Sequence, residues 1–300
     1  MLYKSPESFK QAVNDRLLKI ARERQLPVHR YQARFLIERL LARVLRAFPQ
    51  VIVKGGMAID LRLENARTTK DLDLGLRQLD AEKILPELQR VCQMDFGDWL
   101  TFEIEEDRNH PVLLAEGMAC EGKRLKARAI LSRKPFFGAF GVDVALGEAL
   151  GPPDAVQLQP LIPLALEPAE SLWIPLCRLE THIAEKLHAY TLPRKTENSR
   201  VKDLPDLAIL ASARDLSSEA LQSAIEQTYS RRGTHPIPSA VPAPPPNWKP
   251  RYANMALENR LPWLELANVF RAVCDFLDPL LQRPLLSKTW KPPLWKWEVL

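Results

Sequence analysis

Nowhere does the sequence string together the ~18 apolar residues that a membrane-crossing helix requires. Its first residues, MLYKSPESFKQAVNDRL, are charged and hold no apolar run, so no signal peptide is expected. Cysteine is sparse. Cys92, Cys120, Cys177 and Cys274 lie far apart and make no metal-ligand spacing, which leaves reduced thiols in a cytoplasmic protein as the expectation. No internal repeat is present. Glycine is outnumbered, 11 residues to 26 prolines, and the prolines crowd between Pro236 and Pro250 and near the C-terminus, which places an extended strap there. The excess of positive charge is small: a net +5 and a pI of about 9.0 are compatible with nucleic acid without requiring it. With 46% apolar and 26% charged residues over 300 positions, the chain can bury the core of one large domain or two modest ones.

The most informative stretch is Val51 to Leu76, VIVKGGMAIDLRLENARTTKDLDLGL. Val51-Ile52-Val53 reads as a buried strand. Lys54-Gly55-Gly56 follows as a turn with no Cβ at either glycine, so a ligand can come close to the backbone. Met57 to Leu63 is amphipathic and predicts one or two helical turns. Asp71-Leu72-Asp73-Leu74 alternates acid and apolar. On a strand this puts Asp71 and Asp73 on one face and the leucines in the core. Two neighbouring carboxylates repel unless a cation lies between them, and oxygen ligands of this kind suit Mg²⁺. The unblocked N–H groups of a Gly-Gly turn entering a helix suit a phosphate. The plainer alternative for D-x-D is an edge strand with two solvated acids.

The rest of the chain adds candidates. Ser5-Pro6-Glu7 starts a helix that runs to about Arg24, and a second helix spans about His29 to Ala47. The second helix carries Arg30, Arg34, Arg39, Arg43 and Arg46, either as a face for an RNA backbone or as a solvated face. Asp80 to Met94 predicts a helix, Leu100 to Glu105 a strand, and Ala115 to Leu131 one or two strands around a turn at 117–122. That segment and its end, Lys123, Arg124, Lys126, Arg128, Arg133 and Lys134, form a second basic cluster. Gly138 to Leu146 reads as a buried strand. Asp143 sits in it between valines, where an unpaired carboxylate would be costly. It either completes a triad with Asp71 and Asp73 or is solvated or paired with an arginine. Short extended segments are expected over Pro152 to Glu170, then helices from about Leu176. CRLETHIAEKLHAY holds Lys186, and RKTENSRVKDLPDLAILA holds a third basic cluster with Asp203 and Asp206 three residues apart. Asp203 is also placed to cap a helix. Further helices are expected at 217–230 and 252–281, and Trp290, Trp295 and Trp297 are read as a core anchor ahead of a partner surface or a base-stacking platform.

KGG, the T-x-D-x-D run and EKLHAY…RVKDLPDL together resemble the AbiEii/AbiGii-type toxin nucleotidyltransferases, the toxic half of bacterial toxin–antitoxin and phage-abortive-infection pairs. The resemblance implies an α+β fold, a polymerase-β-like mixed sheet with flanking helices and a helical C-terminal region. The boundaries expected are a nucleotidyltransferase domain over 1–170 and a helical domain over 171–300, with the strap at 234–250. It implies NTP as substrate and two Mg²⁺ ions, held by Asp71 and Asp73 with Asp143. Lys54, Gly55, Gly56, Thr69 and Lys186 would face the nucleotide, Lys186 contacting phosphates, and either Asp203 or Asp206 would be a further functional acid. Where many nucleotidyltransferases have Gly-Ser, this chain has Gly55-Gly56, so a serine contact to the phosphates is missing. The acceptor implied is RNA, with the tRNA 3′ end leading and translation blocked. The other outcomes are nucleotidylation of a protein or small molecule, or a non-catalytic relative that binds nucleotide or RNA. A cognate antitoxin is implied as partner, acting on Thr69 or as a transcriptional repressor.

Overall fold

The computed structural model describes residues 3–63, 69–76, 80–110, 113–115, 118–119, 121–146, 151–162, 172–194, 198, 200–282 and 285–299. Thr68, Gly117, Cys120, Lys195 and the end of the expected 152–170 segment lie outside these residues. The chain divides into two compact units, Met1–Leu61 with Thr68–Cys177, and Arg62–Arg67 with Arg178–Leu300.

The first unit opens with α1 (Pro6–Arg24) and α2 (Val28–Ala47). Ser5 starts α1 as a capping box: its hydroxyl accepts from the Ser8 N–H at 3.2 Å, and the Ser8 hydroxyl accepts from the Ser5 N–H at 3.1 Å. Phe9, Val13 and Leu17 then fall on one buried stripe. Next come β1 (Ile52–Lys54), α3 (Gly55–Arg62), β2 (Asp71–Leu76), α4 (Ala81–Cys92) and β3 (Leu100–Glu106). The short pair β4 (Leu114–Ala115) and β5 (Met118–Ala119) precedes β6 (Gly122–Leu131), β7 (Lys134–Pro135) and β8 (Phe140–Leu146). β9 (Asp154–Gln157) and β10 (Trp173–Leu176) complete the unit.

The main sheet runs β3-β6-β8-β2-β1-β10-β9, with β7 added beside β6. It is mixed: β2 lies parallel to β8 and β1 parallel to β10, and the other pairs are antiparallel. Leu72, Leu74, Val142, Val144, Leu125 and Phe102 turn to a core shared with α1, α2 and α4. Strand side chains alternate, so Asp71, Asp73 and Asp143 are carried on the other face. The Gly-Gly pair, expected as a turn, forms the first residues of α3, so the strand passes into the helix directly.

The second unit holds α5 (Leu179–Thr191), α6 (Asp203–Ala211), β11 (Leu216–Ser217), α7 (Ser218–Arg232), α8 (Trp248–Asn259) and α9 (Leu266–Gln282). It closes with a hairpin of β12 (Lys288–Lys291) and β13 (Lys296–Val299), which pairs with β11. The one helix expected over 252–281 is two, because Arg260 takes a left-handed φ of 52° and Pro262 cannot continue an α-helix. The strap is tied to the unit at its middle: Tyr190 donates to the Pro242 carbonyl, and the Val241 N–H donates to Asp278, each at 2.8 Å. The three tail tryptophans anchor as the sequence suggested. Their indole N–H groups donate to the carbonyls of Ala211, Ala272 and Phe276. Among the described residues no helix is long and apolar enough to cross a membrane.

Candidate active site

Register brings four charged residues of the first unit into one row. Lys54 on β1 is opposite Asp73 on β2, Asp73 is opposite Asp143 on β8, and Asp143 is opposite Arg124 on β6. Directly opposed residues share a face, and adjacent strands lie about 4.8 Å apart. The row therefore reads cation, carboxylate, carboxylate, cation across the sheet. Asp71 heads the neighbouring row, opposite Gly141 and then Lys126.

Two glycines make room for the two acids of β2. Gly55 has φ +55°, and a Cβ built there would come within 2.6 Å of Asp73 Cγ. A Cβ on Gly141 would lie 2.6 Å from Asp71 Oδ1. Asp73 thus lies against the first residue of α3, and Asp71 leans over the bare backbone of β8. Thr69 fixes the start of β2. Its hydroxyl donates to the Asp71 carbonyl at 3.1 Å and accepts from the Asp71 N–H at 3.3 Å. Lys54, Gly56 and Thr69 are buried, while Asp71 is exposed.

Asp143 is held by Arg124. The guanidinium forks it, with Nη2 at 2.7 Å from Oδ2 and Nε at 3.0 Å from Oδ1. This hydrogen bond, working against burial and helped by the charges of Asp143, Asp73 and Asp107, raises the Arg124 guanidinium above its ordinary value. Of the two readings open for Asp143, arginine pairing is the geometry seen. Among the described residues no three His, Cys, Asp or Glu side chains converge to hold a metal ion. Asp71 and Asp73 alone still fit a divalent cation: both are hard oxygen donors on one strand face, and each occupies space that a Cβ at Gly55 or Gly141 would fill.

The second unit gathers the remaining predicted residues. Lys186 of α5 meets both candidate acids of α6, with Nζ 3.1 Å from Asp203 and 3.0 Å from Asp206. Arg200 also binds Asp203, at 2.5 Å. Both acids are buried, and Asp203 makes no helix cap because α6 takes Lys202 as its N-cap residue. The lysine therefore engages the two acids together.

The basic face expected on α2 is largely turned inward. Arg43 is fully buried and forks Asp98 at 2.6 and 3.0 Å, also donating to the carbonyls of Met94, Arg39 and Leu100. Arg39 joins it on Asp98 at 2.7 Å, and Arg34 binds Glu38 and Asp60. Burial would raise the Asp98 carboxyl, but the hydrogen bonds and charge of Arg43, with those of Arg39, outweigh it and hold Asp98 below the usual carboxylate range. Helical spacing alone did not reveal Asp98 or Asp60, because Asp98 is 55 residues from Arg43 and Asp60 is 26 from Arg34. Gly141 was missed as a site residue, and Arg124 was read only as part of a basic cluster. Gly141 carried the signal of a glycine inside an apolar strand, and Arg124 that of the first of three alternating basic residues on one strand face.

The AbiEii model, described as the nucleotidyl transferase toxin of a type IV toxin–antitoxin system, matches residues 39–288. The chain belongs to the AbiEii family. It is a nucleotidyltransferase of the toxin type, and the stretch matched includes every residue of the row above as well as Lys186, Asp203 and Asp206. Its fold is similar to that of MenT4, a nucleotidyltransferase toxin from Mycobacterium tuberculosis H37Rv, with a TM-score of 0.58 at 14% identity over 93% of this chain and 92% of that one. A weaker likeness, TM-score 0.45 at 14% identity over 86% of this chain and 95% of the other, is to JHP933 from Helicobacter pylori. No curated protein matches the chain. An AbiEii-family toxin implies an NTP substrate and a cognate antitoxin.

Proposed function

We propose that this AbiEii-family chain transfers a nucleoside monophosphate from an NTP to an RNA acceptor, with the tRNA 3′ end the leading candidate, and so blocks translation in the cytoplasm. The observation that carries the site is the pair Asp71 and Asp73 on one face of β2, each seated where a glycine leaves space. These two carboxylates would hold Mg²⁺. Bound there, the cation would neutralise charge developing on the triphosphate. The chain's own contributions are positional. The start of α3 at Gly55 and Gly56 offers backbone N–H groups to the phosphates, Thr69 fixes the backbone of Asp71, and Lys54 brings a cation into the same row. By the family resemblance Lys186 is a proposed phosphate-contacting lysine; within the second unit it pairs with Asp203 and Asp206. The acceptor hydroxyl attacks the α-phosphorus, its proton passes to solvent, and pyrophosphate leaves.

The antitoxin's point of action on this reading is Thr69. Its hydroxyl clamps the Asp71 backbone, so a phosphate there would remove the hydrogen bond it donates and add negative charge beside the carboxylates.

The test is incubation of each labelled NTP with total tRNA and Mg²⁺, with Asp71→Ala alongside. Label on RNA that drops by roughly a hundredfold or more in the variant supports the reading. Label on protein or a small molecule instead would replace the RNA acceptor and keep the chemistry. Absence of transfer to any acceptor with every NTP would remove the reaction.

A further inference from the structure

Among the described residues three arginines fork an aspartate, Arg43 on Asp98, Arg200 on Asp203 and Arg124 on Asp143, and the two forks of the first unit differ in one respect. Arg43–Asp98 is closed off, both side chains 0% exposed, and its donors also satisfy three backbone carbonyls. Arg124–Asp143 is open, the side chains 22% and 20% exposed, and among the described residues no backbone carbonyl takes a further bond from the Arg124 guanidinium. A fork of the first kind is a permanent part of the core. One of the second kind can exchange partners, because water or a ligand can take over each hydrogen bond as it breaks.

The position of the open fork is what matters. Arg124 is two strands from Asp73 in the same row, about 10 Å between backbones, with Asp143 between them. Three carboxylates share this part of the sheet, and Arg124 neutralises the one nearest to it. A guanidinium that forks both oxygens of a carboxylate takes the lone pairs that face it and sets a positive charge beside them, so the carboxylate is a poorer ligand for a cation. A triphosphate offers the same planar oxygen pattern with more charge, so it competes for the guanidinium.

We propose that Arg124 is a positioning residue that exchanges partners: it occupies Asp143 in the nucleotide-free protein and passes to the triphosphate when an NTP binds, freeing Asp143 to join Asp71 and Asp73. The inference rests on the nucleotidyltransferase reading above and adds an order of events to it. The third carboxylate becomes available only with the nucleotide, so the protein binds metal weakly alone and strongly with substrate.

The test measures binding rather than turnover, on the full chain. Mn²⁺ binding is followed by electron paramagnetic resonance without nucleotide. Binding of the four α,β-methylene NTPs, which cannot transfer, is followed by calorimetry in saturating Mn²⁺. Arg124→Gln is expected to tighten Mn²⁺ alone by about tenfold and to weaken the nucleotide analogue by about tenfold, the two shifts having opposite sign. Arg124→Lys keeps the charge without the fork and is expected to fall between. Arg128→Gln removes a charge from the same face of β6, at an exposed position, and is expected to leave both unchanged. The proposal is overturned if Arg124→Gln leaves Mn²⁺ affinity unchanged or weaker, if nucleotide binding does not fall, or if Arg128→Gln reproduces the effect. Melting temperatures of the variants confirm that each is folded. If Asp71→Ala and Asp73→Ala bind Mn²⁺ as the parent does, it is the metal-pair reading that fails, and the exchange fails with it.

Discussion

At Gly141 one methyl group decides where Asp71 can point. The Cβ of alanine would stand 2.6 Å from Asp71 Oδ1, closer than carbon and oxygen tolerate, so the carboxylate must swing away. Gly141 does not have a left-handed φ, so alanine there is compatible with the strand backbone. Gly141→Ala is therefore expected to stay folded, with a melting temperature within a few degrees of the parent. Nucleotide transfer should fall by roughly a hundredfold, the cost of displacing a reacting group by about an ångström. A Gly141→Ala protein with full transfer would show that Asp71 is not needed where it stands. The cysteines supply a second residue-scale outcome. Burial pushes the thiols of Cys92 and Cys274 up to about 12. Both should resist iodoacetamide at pH 8 in the native protein and react once it is unfolded, as mass spectrometry of the alkylated peptides would show.

At the scale of elements, α2 is fastened to the segment before β3 by the Arg43–Asp98 pair. Asp98→Ala leaves a buried guanidinium uncompensated and is expected to lower stability by about 3–5 kcal/mol, read from urea melts. The same pair fixes an acid limb of stability. The folded Asp98 carboxyl lies below its ordinary value of 3.8. Its contribution is thus fully present above that value and is lost as pH falls through the lower, folded value. Below pH 3.8 the parent should lose stability more steeply than Asp98→Asn, in melts taken across the acid range. In the second unit α5 and α6 are joined by Lys186 through two buried acids. Lys186→Met therefore removes a cation from Asp206 and Asp203 together. It is expected to lower melting temperature as well as transfer, whereas Lys186→Arg restores the first more than the second. A Lys186→Met protein as stable as the parent would show that the acids do not depend on this lysine.

For the whole molecule, with a net charge of +5, the question is which cations face an outside partner. Ion pairs take up Arg34, Arg39, Arg43, Lys123, Arg124 and Arg200. Lys126 and Arg128 stay exposed on the face of β6 that Arg124 shares, and Arg133 and Lys134 are exposed just beyond. Glu105 and Glu103 stand opposite Lys126 and Arg128 on β3 and moderate their field. With an RNA acceptor, replacing Lys126 and Arg128 by Gln should raise KM for RNA. It should also flatten the salt dependence, by about 0.7 in log–log slope for each single-strand phosphate that the protein no longer neutralises. Affinity for the nucleotide analogue should not change. A salt dependence identical to the parent's would place the acceptor elsewhere.

Much of this could be seen in the sequence because much of it is local. Helix α1 followed from its cap and spacing and α2 from spacing, and the shared face of Asp71 and Asp73 followed from strand alternation alone. The chemistry of AbiEii toxins was legible for the same reason, since KGG and D-x-D lie within one short stretch. The neighbours of that stretch were not legible. Asp143 is 70 residues from Asp73 and Arg124 is 19 residues from Asp143, and nothing in either segment encodes a parallel register with β2 or an antiparallel one with β6. The sequence determined which side chains share a face of each strand, because that depends on a two-residue period. Only the tertiary structure decided which strands lie side by side. That choice put Arg124 on Asp143, Gly141 under Asp71 and Asp98 on Arg43, because pairing between distant strands is set by how the whole core packs.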